Sequence, residues 1–236
     1  MDSTYLIILL TALLPVAILM YIIYHKDRGK PEPTGQLVKA FLLGILSIPI
    51  SLCISTPLTY IGLCPEETNT ILDAVRISFF GAAIPEESAK LIILWFILRN
   101  NKYFDEKMDG IVYAVCVSLG FAAVENIAYL FSDVESFLSI GISRAIFAVP
   151  GHFCFGITMG YYYSLVKFYP KYPDNKKILV LLAPILVHGL YDSILFIIDV
   201  LPWVSGALTI LFIIFCFKMW KYASHRIKEH LDRDSK

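Results

Sequence analysis

Eight residues of this 236-residue chain could do chemistry and sit where charge is unwelcome: Glu86, Glu87, Lys90, Glu125, Asn126, His152, His188 and Asp192. All lie within long apolar stretches. Adjacent carboxylates, imidazoles and an amine suit the activation of water, with one glutamate accepting its proton. An imidazole or the lysine could then stabilise the oxyanion of a tetrahedral intermediate. Alternatively His152, His188 and a carboxylate such as Glu125 could bind zinc, whose nitrogen and oxygen ligands leave one position for water. The residue types leave both routes open, with zinc the one cofactor they admit.

Spacing adds local pairings. Glu86 and Lys90 are four apart and Glu87 and Lys90 three apart, so on a helix the lysine reaches either carboxylate. His188 and Asp192 share one helical face, which lets the aspartate orient the imidazole. Phe121, Glu125 and Tyr129 form another such ladder, with Asn126 beside it. Each feature also has a plain structural reading: an ion pair for Glu86, Glu87 and Lys90, interhelical hydrogen bonds for the histidines, and a counter-charge for Arg144. Other chemistries lack their motifs. No His is followed by Glu, so there is no H-E-x-x-H; there is no G-x-S-x-G; and Tyr191-Asp192 has no companion G-x-G-D.

These residues need a frame. The chain is 57% hydrophobic and only 17% charged, against about 25% charged in a soluble domain. Twenty basic and twenty acidic residues give zero formal charge, which speaks against a nucleic-acid binder driven by positive charge. A bilayer crossing takes about 20 apolar residues. Seven stretches qualify, near 5–24, 38–60, 72–98, 110–131, 137–166, 178–199 and 202–217, and the last is short. The first reads as a retained span, because no A-x-A-like site follows it. The five cysteines form no C-x-x-C pair, and no disulfide is inferred. The expected fold is an all-α polytopic membrane bundle: a single domain over 1–222 and a short tail over 223–236.

Basic residues set its orientation. Seventeen of the twenty fall in the first, third and fifth connections and the tail: Lys26, Arg28, Lys30, Lys39, Arg99, Lys102, Lys107, Lys167, Lys171, Lys176, Lys177, Lys218, Lys221, Arg226, Lys228, Arg233 and Lys236. The N-terminus and the even-numbered connections carry Asp2, Glu66, Glu67, Asp133 and Glu135 instead. The positive-inside rule then puts the N-terminus outside and the C-terminus in the cytoplasm. Arg76, Lys90 and Arg144 are the three basic residues left within spans.

In that frame the depths coincide. Glu86, Glu87, Glu125 and His152 each lie about 15 residues into their spans, and His188 and Asp192 about 10 and 14, which at 1.5 Å per residue brings four helices to one level. Ionisable groups at that depth cost at least about 2.5–3.5 kcal/mol each and need mutual partners or water. Pro85, Pro150 and Pro184 stand within a turn before Glu86, His152 and His188 and could kink the helices there. Gly156 and Gly160 form a G-x-x-x-G suited to close helix packing.

Four blocks carry a family resemblance: P-E-E-S-A-K at 85–90, G-F-A-A-V-E-N-I-A-Y at 120–129, H-F-C-F-G at 152–156 and H-G-L-Y-D at 188–192. They resemble the conserved blocks of the PrsW family, bacterial polytopic proteases related to CAAX prenyl endopeptidases, over about residues 75–195. The resemblance implies a multi-pass protein of the bacterial cytoplasmic membrane that makes the first cut in a membrane-anchored anti-sigma factor. It carries the family's paired glutamates to Glu86 and Glu87, its lysine to Lys90, its third glutamate to Glu125 and its histidines to His152 and His188. The family is classed with metallopeptidases, whereas its CAAX-type relatives suggest glutamate-activated water. Two other readings stand beside the endopeptidase. One is an ion- or proton-coupled transporter, since buried Glu, His and Asp also mark proton relays; the other is a non-catalytic peptide-binding partner.

Overall fold

Runs of Leu, Ile, Val and Phe without charge must satisfy every backbone polar group internally once in lipid, and helices do so. The computed structural model describes residues 3–27 and 29–235; Asp2, Arg28 and Lys236, counted above, lie outside the described residues. The helices are α1 (Ser3–Lys26), α2 (Thr34–Ile45), α3 (Ser47–Tyr60), α4 (Ile71–Arg76), α5 (Ile84–Leu98), α6 (Lys107–Ser132), α7 (Phe137–Ser143), α8 (Val149–Phe168), α9 (Leu179–Val200) and α10 (Ser205–Asp234). Helices α2 and α3 meet at Leu46. Wide π turns over Ile77–Ala83 join α4 to α5, and others over Arg144–Ala148 join α7 to α8. The result is the all-α membrane bundle expected. Among the described residues, six rods are long and apolar enough to cross a bilayer. The seventh, 71–98, is as continuous but carries Glu86, Glu87 and Lys90 in its apolar stretch.

The π turns stand directly before Pro85 and Pro150. Proline removes an i→i−4 hydrogen bond and its ring clashes with the carbonyl one turn back, so the helix must widen or bend there. Kinks are the sequence-level expectation at these prolines. Widening is what the chain adopts at two of them, whereas Pro184 is carried inside α9 without such a turn.

Helix α6 is the central pole, with 78% of its apolar stretch buried against 11% for α10. Its neighbours come close because small residues face each other. A Cβ at Gly156 would lie 2.9 Å from the Ser118 Cβ; one at Gly160 would collide with the Gly110 carbonyl and stand 2.6 Å from the Ile111 Cα. The G-x-x-x-G therefore packs α8 onto α6. On the outside, Leu10, Leu14, Ile18, Ile210 and Phe217 are exposed, an apolar surface suited to lipid.

One end of the bundle gathers the basic segments. Lys30 pairs with Asp105 at 2.5 Å, Lys107 with Asp234 at 2.9 Å, and the Arg233 guanidinium lies 5.4 Å from the Tyr169 ring. The first, third and fifth connections and the C-terminal segment thus share an end, the arrangement the positive-inside rule requires. At the other end Tyr5 stacks on Phe131 with centroids 5.9 Å apart. The last rod differs from its expected length. Helix α10 runs to Asp234, burying Ala223, Ile227 and His230, and the Asp234 carboxylate accepts from the Lys107 and Met108 amides at 3.0 and 2.8 Å. An anion at the start of α6 answers its unpaired amides and its dipole.

Because the atoms facing Gly160 are backbone and cannot yield, Gly160→Ala should cost about 1–3 kcal/mol by overpacking. Thermal unfolding in detergent should show a clear fall in Tm for Gly160→Ala. Gly206→Ala, whose Cβ meets nothing within 4 Å, should leave Tm unchanged or slightly higher.

Candidate active site

The first turns of α5 carry the two glutamates and, one turn on, the lysine. Lys90 is buried and its ammonium has three partners: Glu87 Oε1 at 2.7 Å, Glu86 Oε2 at 3.3 Å and His152 Nδ1 at 3.1 Å. The Phe121 ring lies 4.2 Å from it. Three N–H donors thus meet two carboxylates and an imidazole, with an aromatic face beside them. Both spacing-based pairings exist, and the link to His152 joins α5 to α8.

That link fixes the His152 tautomer. An ammonium only donates, so Nδ1 accepts and the ring proton sits on Nε2, which donates to Glu125 Oε2 at 2.7 Å. Ser118 Oγ donates to the His152 carbonyl at 2.7 Å, pinning the start of α8 to α6. His188 is held between two acids, with Nδ1 3.0 Å from Glu87 Oε1 and Nε2 3.2 Å from Asp192 Oδ2. With both carboxylates ionised, a ring donating from both nitrogens satisfies both contacts. Phe155 stacks on His188 at 4.4 Å and 17° and sets the ring plane.

Arg144, which the sequence offers only as a counter-charge, is part of the cluster. Its Nη2 donates to Glu125 Oε2 at 2.8 Å, its Nε donates to Asn126 Oδ1 at 2.5 Å, and its guanidinium lies 4.0 Å from the Tyr129 ring. Asn126 in turn donates from Nδ2 to the Ala12 carbonyl at 2.8 Å, reaching α1. A span arginine with no acid within a helical turn must find one on another helix, and that signal was available. Arg76, by contrast, donates to the Gly62 and Leu63 carbonyls and stays outside the cluster.

A cavity of about 290 Å³ opens onto this cluster, lined among others by Glu86, Glu125, Arg144, His152, His188 and Asp192. Glu87, Lys90 and Asn126 do not line it and lie behind its wall. All eight sequence-selected residues are therefore gathered, but in two layers. Glu87 Oε1 meets both Lys90 and His188, Glu125 Oε2 meets both Arg144 and His152, and Asp192 Oδ2 meets His188. Glu86 has Lys90 alone, at the longest of the lysine's distances.

Similarity to known proteins decides the family. Residues 32–220 match the model of the PrsW family intramembrane metalloprotease. The chain belongs to the PrsW family. It is 35% identical to "Protease PrsW" of Clostridioides difficile (strain 630), over 96% of this chain and 92% of that one. It is 33% identical to the Oceanobacillus iheyensis protein of that name, over 94% of each. Identity to the Bacillus subtilis (strain 168) protein is 34%, over 76% of this chain and 78% of that one. No solved structure matches significantly. As a PrsW protein the chain is a membrane-embedded protease, and a membrane protein in a lipid bilayer is its substrate.

The metallopeptidase character of the PrsW family can be tested against the donor atoms. His152, His188 and Glu125, the trio offered by the sequence for a metal, line one cavity, with the two imidazole centroids 5.6 Å apart. The donors that converge within 4.8 Å of one another are those of Glu86, Glu87 and His152. Glu87 Oε2 is buried with no hydrogen-bond partner. A nitrogen–oxygen set with a spare buried oxygen suits a divalent ion. These three are also the residues gathered by the Lys90 ammonium.

Removing one partner of a buried ion pair strands the other, at a cost of about 3–5 kcal/mol. Lys90→Met should therefore destabilise the purified protein by about that much, and adding Glu87→Gln should restore part of the loss. Denaturant midpoints for the two single variants and the double variant measure this. Strictly additive losses would refute the coupling.

Proposed function

We propose that this chain is a membrane-embedded endopeptidase of the bacterial cytoplasmic membrane in which Glu86 takes the proton of the attacking water. The observation that carries the reading is the unequal commitment of the carboxylates. Glu87 and Glu125 each have two partners, whereas Glu86 faces the cavity with Lys90 alone, and Asp192, likewise held by one partner, is spent on orienting His188. A base must have a lone pair to spare at the cavity; Glu87 lies behind its wall, and Glu125 shares one oxygen between Arg144 and His152.

The remaining groups then take complementary roles. Glu87 holds Lys90 and His188 in place from behind the wall. His188 and Arg144 present positive charge to the cavity, where the carbonyl oxygen of a scissile bond becomes an oxyanion on attack. Glu125 orients Arg144 and His152. Asp192 orients His188, and Asn126 fixes Arg144 against α1. After attack, the proton on Glu86 passes to the leaving amine, which completes hydrolysis with the base regenerated. Were zinc the family's ion here, Glu86, Glu87 and His152 would hold it in place of the Lys90 ammonium, Glu86 would be a ligand instead of the base, and the ion would supply Lewis acidity.

PrsW membership supports the finer substrate class, a single-span anti-sigma factor cut near the non-cytoplasmic side as the first step of regulated proteolysis. The depth of the cluster suits that side, because the basic end of the bundle is the far one. The transporter reading finds no comparable support, since the cavity groups are paired with one another rather than strung along a path.

Co-expression with a tagged single-span anti-sigma factor provides the test. Glu86→Gln should lower the cleavage rate by about 10²–10⁴-fold with the protein still folded, and His188→Ala should also abolish cleavage. Full cleavage by both would sink the assignment, and proton-coupled flux in liposomes abolished by the same changes would favour the transporter.

A further inference from the structure

A second cluster of acids lies at the opposite, basic end, about 24 Å along α6 from Glu125 at 1.5 Å per residue. It comprises Asp27, just past α1; Glu32, just before α2; and Glu106 and Asp109, which cap the start of α6. Donor oxygens of Asp27, Glu106 and Asp109 lie within 4.8 Å of one another. Asp27 is 2% exposed and Asp109 1% exposed. The capping of α6 explains only part of this. Asp109 Oδ2 accepts from the Asp105 and Glu106 amides at 3.0 and 2.7 Å. Its other oxygen, Oδ1, is buried without a hydrogen-bond partner, and so is Asp27 Oδ2.

Counter-charges are near but engaged elsewhere. Lys30 pairs with Asp105 and Lys107 with Asp234. Among the described residues, no Lys or Arg forms an ion pair with Asp27, Glu32, Glu106 or Asp109. The phenol of Tyr113 donates to Glu32, which neutralises nothing. Burial, followed by the Glu106 carboxylate, pushes the Asp27 carboxyl up to about 6, and burial likewise raises Glu32. Buried, converging carboxylates with unused oxygens are stable only with a cation or a shared proton between them.

We propose that Asp27, Glu106 and Asp109 form a binding site for a hard divalent cation, Mg²⁺ or Ca²⁺, separate from the catalytic cluster. The ligand set is all oxygen, with neither His nor Cys, which favours these ions over zinc. Mg²⁺ would keep several of its waters, whereas Ca²⁺ would draw more on the protein oxygens, Glu32 included. Either ion would clamp the α1–α2 connection onto the start of α6, whose far end carries Glu125. The ion would therefore brace the helix on which the catalytic cluster is mounted.

Full-length protein in detergent, stripped with chelator, should bind about one Mg²⁺ or Ca²⁺ per chain by calorimetry, and the two separate titrations identify the preferred ion. At tenfold over Kd the bound ion should raise Tm by about 3–6 °C. Asp27→Asn with Glu106→Gln should abolish binding and the Tm response, whereas Glu86→Gln should keep both. Asp27→Asn alone should weaken binding at least tenfold. It should be no less stable than wild type in chelator, since it removes a like charge; a purely structural role for Asp27 predicts the opposite sign. Binding that persists in the double variant, or a wild-type Tm indifferent to both ions, would overturn the site in favour of a shared proton.

Discussion

The Lys90 ammonium is the constraint on which the rest of the site depends. A lone ammonium at this depth is costly in a bilayer, and so is a lone carboxylate. Here one ammonium answers two glutamates and an imidazole at 2.7–3.3 Å. Satisfying it fixes the rotation of α5 and the register of α8 against it. It also sets the His152 tautomer, and so decides which nitrogen meets Glu125.

From that point the contacts run on without a break. His188 meets Glu87, Glu87 meets Lys90, Lys90 meets His152, His152 meets Glu125, Glu125 meets Arg144, Arg144 meets Asn126, and Asn126 meets the Ala12 carbonyl. The chain of contacts crosses α9, α5, α8, α6, the π turns before α8, and α1. Lipid offers no hydrophobic drive to bring helices together, so polar links of this kind and tight packing at small residues must do so. Gly110, Ser118, Gly156 and Gly160 supply the tight packing. The π turns before Pro85 and Pro150 belong to the same solution, since they let each helix pass its proline and still deliver Glu86 and His152 to one level.

Much of this was legible in the residues. Composition gives the spans, and charge asymmetry gives the connections that share one end, because those depend on local length and polarity alone. Depth counting finds the level of the site, because helical rise is constant. The i,i+4 pairs Glu86–Lys90 and His188–Asp192 form as spacing demands. Partners across helices were not legible: Lys90 with His152, Glu87 with His188, and Arg144 with Glu125 depend on helix rotation, which one sequence leaves open. The Phe121–Glu125–Tyr129 ladder illustrates this, since its two rings lie against Lys90 and Arg144 rather than against the glutamate between them. Extension of α10 to Asp234 escaped for a different reason. Its last turns are polar, and apolarity marks a span but not the helix that continues beyond it. Asp27 and Asp109 are 82 positions apart, so nothing local announces that they meet.

The two acidic clusters show how differently carboxylates can be held within one bundle. In the cavity cluster the cations are part of the protein, and they are shared unevenly: Glu87 and Glu125 each have two cationic or imidazole partners while Glu86 and Asp192 have one each. An even distribution would leave no carboxylate free to take a proton, and a poorer one would not survive desolvation. The useful state lies between, with enough internal charge to bury four acids and the two more lightly held ones, Glu86 and Asp192, directed at the cavity. At the basic end the protein's own cations are spent on Asp105 and Asp234, so the deficit there has no internal remedy among the described residues. Internal lysine and arginine at the deep site, and unpaired oxygens at the shallow one, follow from where each cluster sits relative to water.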